Sequence, residues 1–238
     1  MINASIAVLA GLALLGGSLD EAAAQVPPSA AEVAAYRGLH AAAQRGDVVE
    51  LRRLIGQGAD VGVRDDYART PLHVAAFAKQ RDAIRALAQA GADLGALEHD
   101  RYDAVTIAAV ADDGETLAVL LGAGASAGLI TSRYDGTALI AAAHLGHAGI
   151  VRQLIAAGAP LDHVNNLRWT AVIESIVLGD GGPRHRDTLR ALVAAGADVR
   201  IPDGQGNTPL MLARSRGYAE MARIIEEALA ARAPSRTR

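Results

Sequence analysis

The sequence predicts an all-α repeat solenoid, stacked helix–turn–helix units joined by β-hairpin-like loops. Three observations predict it. Gly-Ala-Asp or a near relative recurs at Gly58, Gly91, Gly124, Gly158 and Gly196, with spacings of 33, 33, 34 and 38 residues. A helix-start mark stands upstream of most of them: Thr70-Pro71-Leu72-His73, Thr137-Ala138-Leu139, Thr170-Ala171-Val172 and Thr208-Pro209-Leu210. Finally, 51% of the 238 residues are apolar but only 3% are aromatic. A core of small side chains suits close helix–helix contact better than an aromatic-filled sandwich. A fixed period in this range marks a stacked repeat.

In chain order the first element is a leader. Ile6 to Leu15 form an apolar run of ten, followed by Gly16-Gly17-Ser18 and Ala22-Ala23-Ala24. A short apolar stretch ending in small residues is the pattern of a secretory signal, with cleavage expected after Ala24. No Lys or Arg precedes Ile6, which departs from that pattern. The run is half the roughly 20 residues a membrane span needs. The chain divides into a cleavable signal at 1–24, a linker at 25–35, a repeat domain at 36–230 and a basic tail at 231–238.

Each repeat has a physical logic. Thr sits where a helix N-cap is wanted, with Pro at the first helical position, where a missing N–H costs nothing. Ala75-Ala76, Ala108-Ala109 and Ala142-Ala143 place small residues on the first helix, so that neighbours can approach closely. A turn follows at Gly46, Gly146, Gly179 and Gly217. The second helix carries branched residues at helical spacing, such as Val49, Leu51, Leu54 and Ile55. The glycine of Gly-Ala-Asp ends it as a left-handed cap. In the third repeat Asp103 takes the Thr slot and can still cap, while Lys79 and Asp112 fill turn slots where glycine is unstrained. The fifth repeat inserts about five residues around Gly181 to His185, expected to project as a loop from the edge opposite the hairpins.

These residues carry a resemblance. The chain resembles an ankyrin-repeat protein, with Thr-Pro-Leu-His-x-Ala intact at Thr70 to Ala75 and the likeness running from about 36 to 230 as six repeats. Through its leader and Asn165-Asn166-Leu167-Arg168-Trp169-Thr170 it is similar to the exported ankyrin proteins of Gram-negative bacteria. The resemblance implies a non-catalytic, cofactor-free scaffold in the periplasm that binds another protein. It also implies where: the hairpin tips and the inner face of each first helix form a concave surface.

On that surface the resemblance places Tyr67, Arg69 and Phe77 in the second repeat and Arg101, Tyr102 and Val110 in the third. Arg133, Tyr134 and Leu145 follow in the fourth, and Arg168, Trp169, Val177 and Leu178 in the fifth. Four of the seven aromatics thus fall on successive hairpins, each with a nearby arginine, a composition typical of binding hot spots. Phe77, Val110, Leu145, Val177 and Leu178 are expected to run as an exposed apolar strip, which calls for a partner. In the alternative, the strip is covered by the chain's own Gln25–Ala35 or its basic tail, or mediates weak self-association. Trp169 and Tyr102 are then staples between hairpins.

Other chemistry is poorly supported. A net charge of −3 lacks the basic surface of a nucleic-acid binder. The absence of cysteine excludes disulfides and thiolate sites. Gly124-Ala125-Ser126-Ala127-Gly128 spells a nucleophile-elbow pattern, but Ser126 follows a helix instead of joining a strand to one. His144 with His147, and Glu98 with His99 and Asp100, lack a convergent third metal ligand. His40 and His73 are expected to bond the turns. The expectation is therefore no enzyme, no metal and no cofactor.

Overall fold

The computed structural model describes residues 25–231. The leader and the tail at 232–238, and with them the signal and the covering role considered for the tail, lie outside those residues. Residues 25–35, expected as a linker, contain helix α1 (Ala30–Ala35). Its start is a capping box, with Glu32 N–H donating to Ser29 Oγ at 3.2 Å and Ser29 N–H to Glu32 Oε2 at 2.8 Å.

Six helix pairs follow: α2 (Gly38–Arg45) with α3 (Val48–Gly56), α4 (Pro71–Phe77) with α5 (Arg81–Gln89), α6 (Ala104–Val110) with α7 (Gly114–Gly122), α8 (Ala138–His144) with α9 (Ala148–Ala156), α10 (Ala171–Val177) with α11 (Pro183–Ala194), and α12 (Pro209–Ser215) with α13 (Ala219–Ala231). First helices pack on first helices and second on second, in two parallel rows. The only strands among the described residues are β1 (Ile130–Thr131) and β2 (Gly136–Thr137), an antiparallel pair in the hairpin before α8.

The starts are as the sequence predicts. Thr137, Thr170 and Thr208 accept at Oγ from the third residue of their helices, and Asp103 Oδ1 accepts from Thr106 N–H at 2.8 Å. The alanine pairs of the inner row are buried, so these helices meet almost backbone to backbone. Branched residues of the outer row, including Leu51, Ile84, Leu117, Ile150 and Leu154, seal the other side. Gly58, Gly91, Gly124, Gly158 and Gly196 all have the left-handed φ of a helix stop, between 82° and 105°. Lys79 and Asp112 adopt the same region at 56° and 52°, a strained choice for a side chain bearing a Cβ.

Two expectations about the fifth repeat are corrected. The left-handed position belongs to Gly181 (φ 68°), not Gly179, because the inserted residues move the turn two places on. Nor does the insertion project as a loop. Pro183 starts a helix of 12 residues where the second helices of the four preceding repeats have 9, so the extra length becomes another turn of α11. That turn lies across the neighbouring repeats. His185 Nε2–H donates to His144 O at 2.9 Å, and Arg184 reaches Asp112 at 3.4 Å, two repeats back. Tyr218 of the last repeat donates its hydroxyl to Gly179 O at 3.0 Å. A Cβ on Gly146 would lie 3.2 Å from both Arg184 and the His185 ring, so glycine there makes room for the strap.

Candidate protein-binding face

Every hairpin begins with an acceptor side chain that gathers its own backbone. Asp65 Oδ1 accepts from the N–H groups of Tyr67 and Arg69, and Glu98 accepts from those of Asp100 and Tyr102. Asn165 does the same for Leu167 and Trp169, and Asp203 for Gln205 and Asn207. The turn closes through a left-handed residue three places on: Ala68, Arg101, Arg168 and Gly206. The hairpins are also stitched to each other. His99 N–H donates to Tyr67 O, Ser132 N–H to Arg101 O and Asn166 N–H to Tyr134 O, at 2.8–2.9 Å. The tips therefore form a connected edge rather than independent loops.

Sequence reasoning missed these acceptors because their chemistry varies while their role does not. The available signal was spacing, since Asp65 and Glu98 stand 33 residues apart. The bonds formed also settle the cluster of Glu98, His99 and Asp100: Glu98 braces the turn, and the His99 ring meets the Tyr67 ring edge-on at 6.3 Å.

The anticipated contact residues divide. Tyr67 is 40% exposed at the first tip. Arg101, Arg133 and Arg168 are exposed as well. Arg101 pairs with Asp135 and Arg133 with Asp100, each at 3.2 Å across adjacent hairpins. Tyr134 is half-buried, while Tyr102 and Trp169 pack against the core, as staples between hairpins do. Leu167, beside Trp169, is exposed and joins the tip surface.

Arg69 must be withdrawn from the set. Only 1% of it is exposed. Its Nε donates to Asp65 Oδ2 at 2.7 Å, its Nη2 to Glu32, and its guanidinium lies 4.7 Å from the Tyr67 ring centre. Tyr36 donates to the same Asp65 oxygen at 2.7 Å. Burial would raise the Asp65 carboxyl, but Tyr36 and Arg69 together hold it below its ordinary value. Arg69 is thus the centre of a polar knot that fastens α1 to the first hairpin. The apolar strip is corrected in the same sense. Phe77, Val110, Leu145, Val177 and Leu178 are all half-buried, and Phe77 and Val177 pack on the core.

The buried histidines, His40, His73 and His147, bond backbone carbonyls. His40 Nε2–H donates to Arg69 O at 2.8 Å. His73 accepts from Thr70 N–H at Nδ1 and donates from Nε2 to Tyr102 O at 3.2 Å, joining two repeats. Burial pushes its imidazole down to about 4. His147 bonds Ala109 O at 2.9 Å, and burial lowers its imidazole too. Thr106, in the slot His73 fills, bonds Thr131 Oγ1 at 3.2 Å instead. Ser126 Oγ accepts from Gly128 N–H at 3.1 Å within the turn after α7. Among the described residues no group of three His, Asp or Glu is placed to hold a metal ion. No helix there is long and apolar enough to cross a membrane.

Comparison with known proteins agrees with this geometry. The family model for ankyrin repeats (three copies) matches residues 24–98 and 105–203. The ankyrin repeat protein YahD of Escherichia coli (strain K12) is 32% identical over 185 residues, 77% of this chain and 92% of that one. An ankyrin repeat domain from Acinetobacter baumannii AYE superposes with a TM-score of 0.75 at 38% identity, covering 80% of this chain and 96% of that one. A chain from the Bdellovibrio bacteriovorus complex of the predatory endopeptidase Bd0816 with immunity protein Bd3460 shares the fold, at 21% identity and a TM-score of 0.66, covering 81% and 98%. Six stacked helix pairs, their cap and stop residues in register and a linked hairpin edge lead to the same place as these matches: the chain belongs to the ankyrin-repeat family, whose repeats serve as scaffolds for protein–protein interaction.

Proposed function

We propose that the protein is a non-catalytic binding scaffold of the bacterial envelope that holds a partner protein along its hairpin tips and the adjoining inner helices. The observation that carries this reading is the tip edge itself. Tyr67, Arg101, Arg133, Arg168 and Leu167 stand exposed on hairpins that backbone hydrogen bonds tie into one line. Arg101 and Arg168 occupy left-handed positions, at φ 65° and 64°, where glycine is free of strain. Such conformations cost about 1–2 kcal/mol each for a residue with a Cβ and concentrate where side chains act. A surface of this rigidity opposes binding with little ordering entropy. The half-buried strip beside it supplies apolar contact area once a partner covers it.

Envelope location rests on the leader, whose removal after Ala24 leaves Gln25 as the first residue. The test is affinity capture from a periplasmic extract. The wild-type chain is compared with a variant carrying Tyr67→Ala, Tyr134→Ala and Leu167→Ala, whose fold is first checked by circular dichroism. A protein retained by the wild type and lost with the variant is the expected result, and identical capture by both overturns the assignment of the face. N-terminal sequencing of the native protein checks the location, and a retained Met1 overturns it.

A further inference from the structure

The fourth residue after the cap slot is apolar in the sister repeats: Val74, Ile107, Ala141 and Leu212. In the fifth repeat it is Glu174, with 4% of its surface exposed. It stands on α10 in the inner row, three residues before Val177 of the half-buried strip. Its Oε1 accepts from Asn165 Nδ2 at 3.1 Å. Among the described residues its Oε2, which is buried, accepts no hydrogen bond, and its one ion-pair neighbour is His144 Nδ1 at 3.4 Å. A carboxylate buried with a lone pair unmet is costly, and a well-packed apolar residue at that site is the cheaper solution that sister repeats use. The His144 side chain is the outer member of the pair, 22% exposed against 5% for Glu174.

We propose that Glu174 is the recognition site for a cationic side chain, lysine or arginine, of the bound protein. The His144 ring turns outward, and the incoming N–H donates to Oε2, while Asn165 keeps Oε1 in place. The carboxylate then gains the charged donor it lacks in the free scaffold. This rests on the protein-binding reading of the inner face and adds the chemistry of one anchor.

The test is selection of twelve-residue random peptides displayed on phage against the wild-type chain, with the recovered peptides titrated against variants. The expected result is a consensus with a fixed Lys or Arg. Replacing that residue with Gln weakens binding to the wild type by about tenfold, the scale of a hydrogen bond to a charged group, and has no effect on the Glu174→Gln variant. His144→Ala, which removes the group to be displaced, binds the same peptides more tightly. Should Glu174→Gln fail to fold, the peptide replacement on the wild type and the His144→Ala titration decide. A selection without a basic consensus overturns the proposal. So do peptides lost with Tyr134→Ala but bound equally by Glu174→Gln, an outcome that leaves the protein-binding reading standing. Peptides indifferent to all these substitutions overturn both.

Discussion

At the scale of the residue, burial decides more than identity. His73 has a local signature, Thr-Pro-Leu-His, and its bonds to Thr70 and Tyr102 follow from its place. Arg69 was legible only as a surface arginine, because one of its two carboxylate partners, Glu32, comes from a segment that reads as linker. Glu174 has no local signature, and only alignment with its sister repeats, where the slot holds Val74, Ile107, Ala141 and Leu212, sets it apart in sequence. The His73 environment has a measurable consequence. Its imidazole titrates near 4 in the fold against an ordinary value of 6.5. Between those values the unfolded chain binds more protons, so stability is full above about pH 6.5 and falls as the pH drops toward 4. A shift of this size corresponds to about 3 kcal/mol. Urea denaturation at stepped pH checks it: the wild type loses stability through that window, whereas His73→Gln starts lower and loses about that much less.

The element was the most legible scale. Caps, alanine pairs and glycine stops gave all six helix pairs, because each rule is local and repeats in register. The exception is α11, where the inserted residues were read as loop. Pro183 is a helix-start signal, but what makes a helix worthwhile there is the surface of the previous repeat, made flat by Gly146, which lies far away in sequence. Among the stops, Gly158 gives the cleanest test. Its φ is 82°, and among the described residues nothing lies within 4 Å of where a Cβ would be, so an alanine meets no clash. Any loss in Gly158→Ala is then backbone strain, expected at about 1–2 kcal/mol. Thermal denaturation of the variant measures it, and an unchanged midpoint contradicts the left-handed cap.

For the whole molecule, stability is uneven along the stack. In a solenoid each repeat is held by its neighbours alone. Here the strap thickens the junctions around the fifth repeat. The exposed Arg184–Asp112 pair contributes little by itself. The greater part comes from the half-buried His185 ring, bonded to His144 O and packed over Gly146. The second helices of the first two repeats carry no such added turn, and the Arg69 knot fastens only α1 and the hairpin there. Amide hydrogen exchange is therefore expected to be fastest in α2 to α5 and slowest in α8 to α11. His185→Ala is expected to raise exchange in α8 and α9 about tenfold, the loss of one half-buried hydrogen bond and its packing. An unaltered exchange pattern in that variant contradicts the strap.

The strap also bears on how this array can change by descent. Repeat arrays lengthen and shorten when whole units are duplicated or lost, and most junctions accept this because each unit meets the same surface on either side. The extra turn of α11 does not. It is fitted to a glycine one repeat back and reaches an aspartate two repeats back. Loss of the fourth repeat sets the strap against Asp112, which bears a Cβ where Gly146 has none. Repeat number is thus expected to change more readily outside the strap than across it.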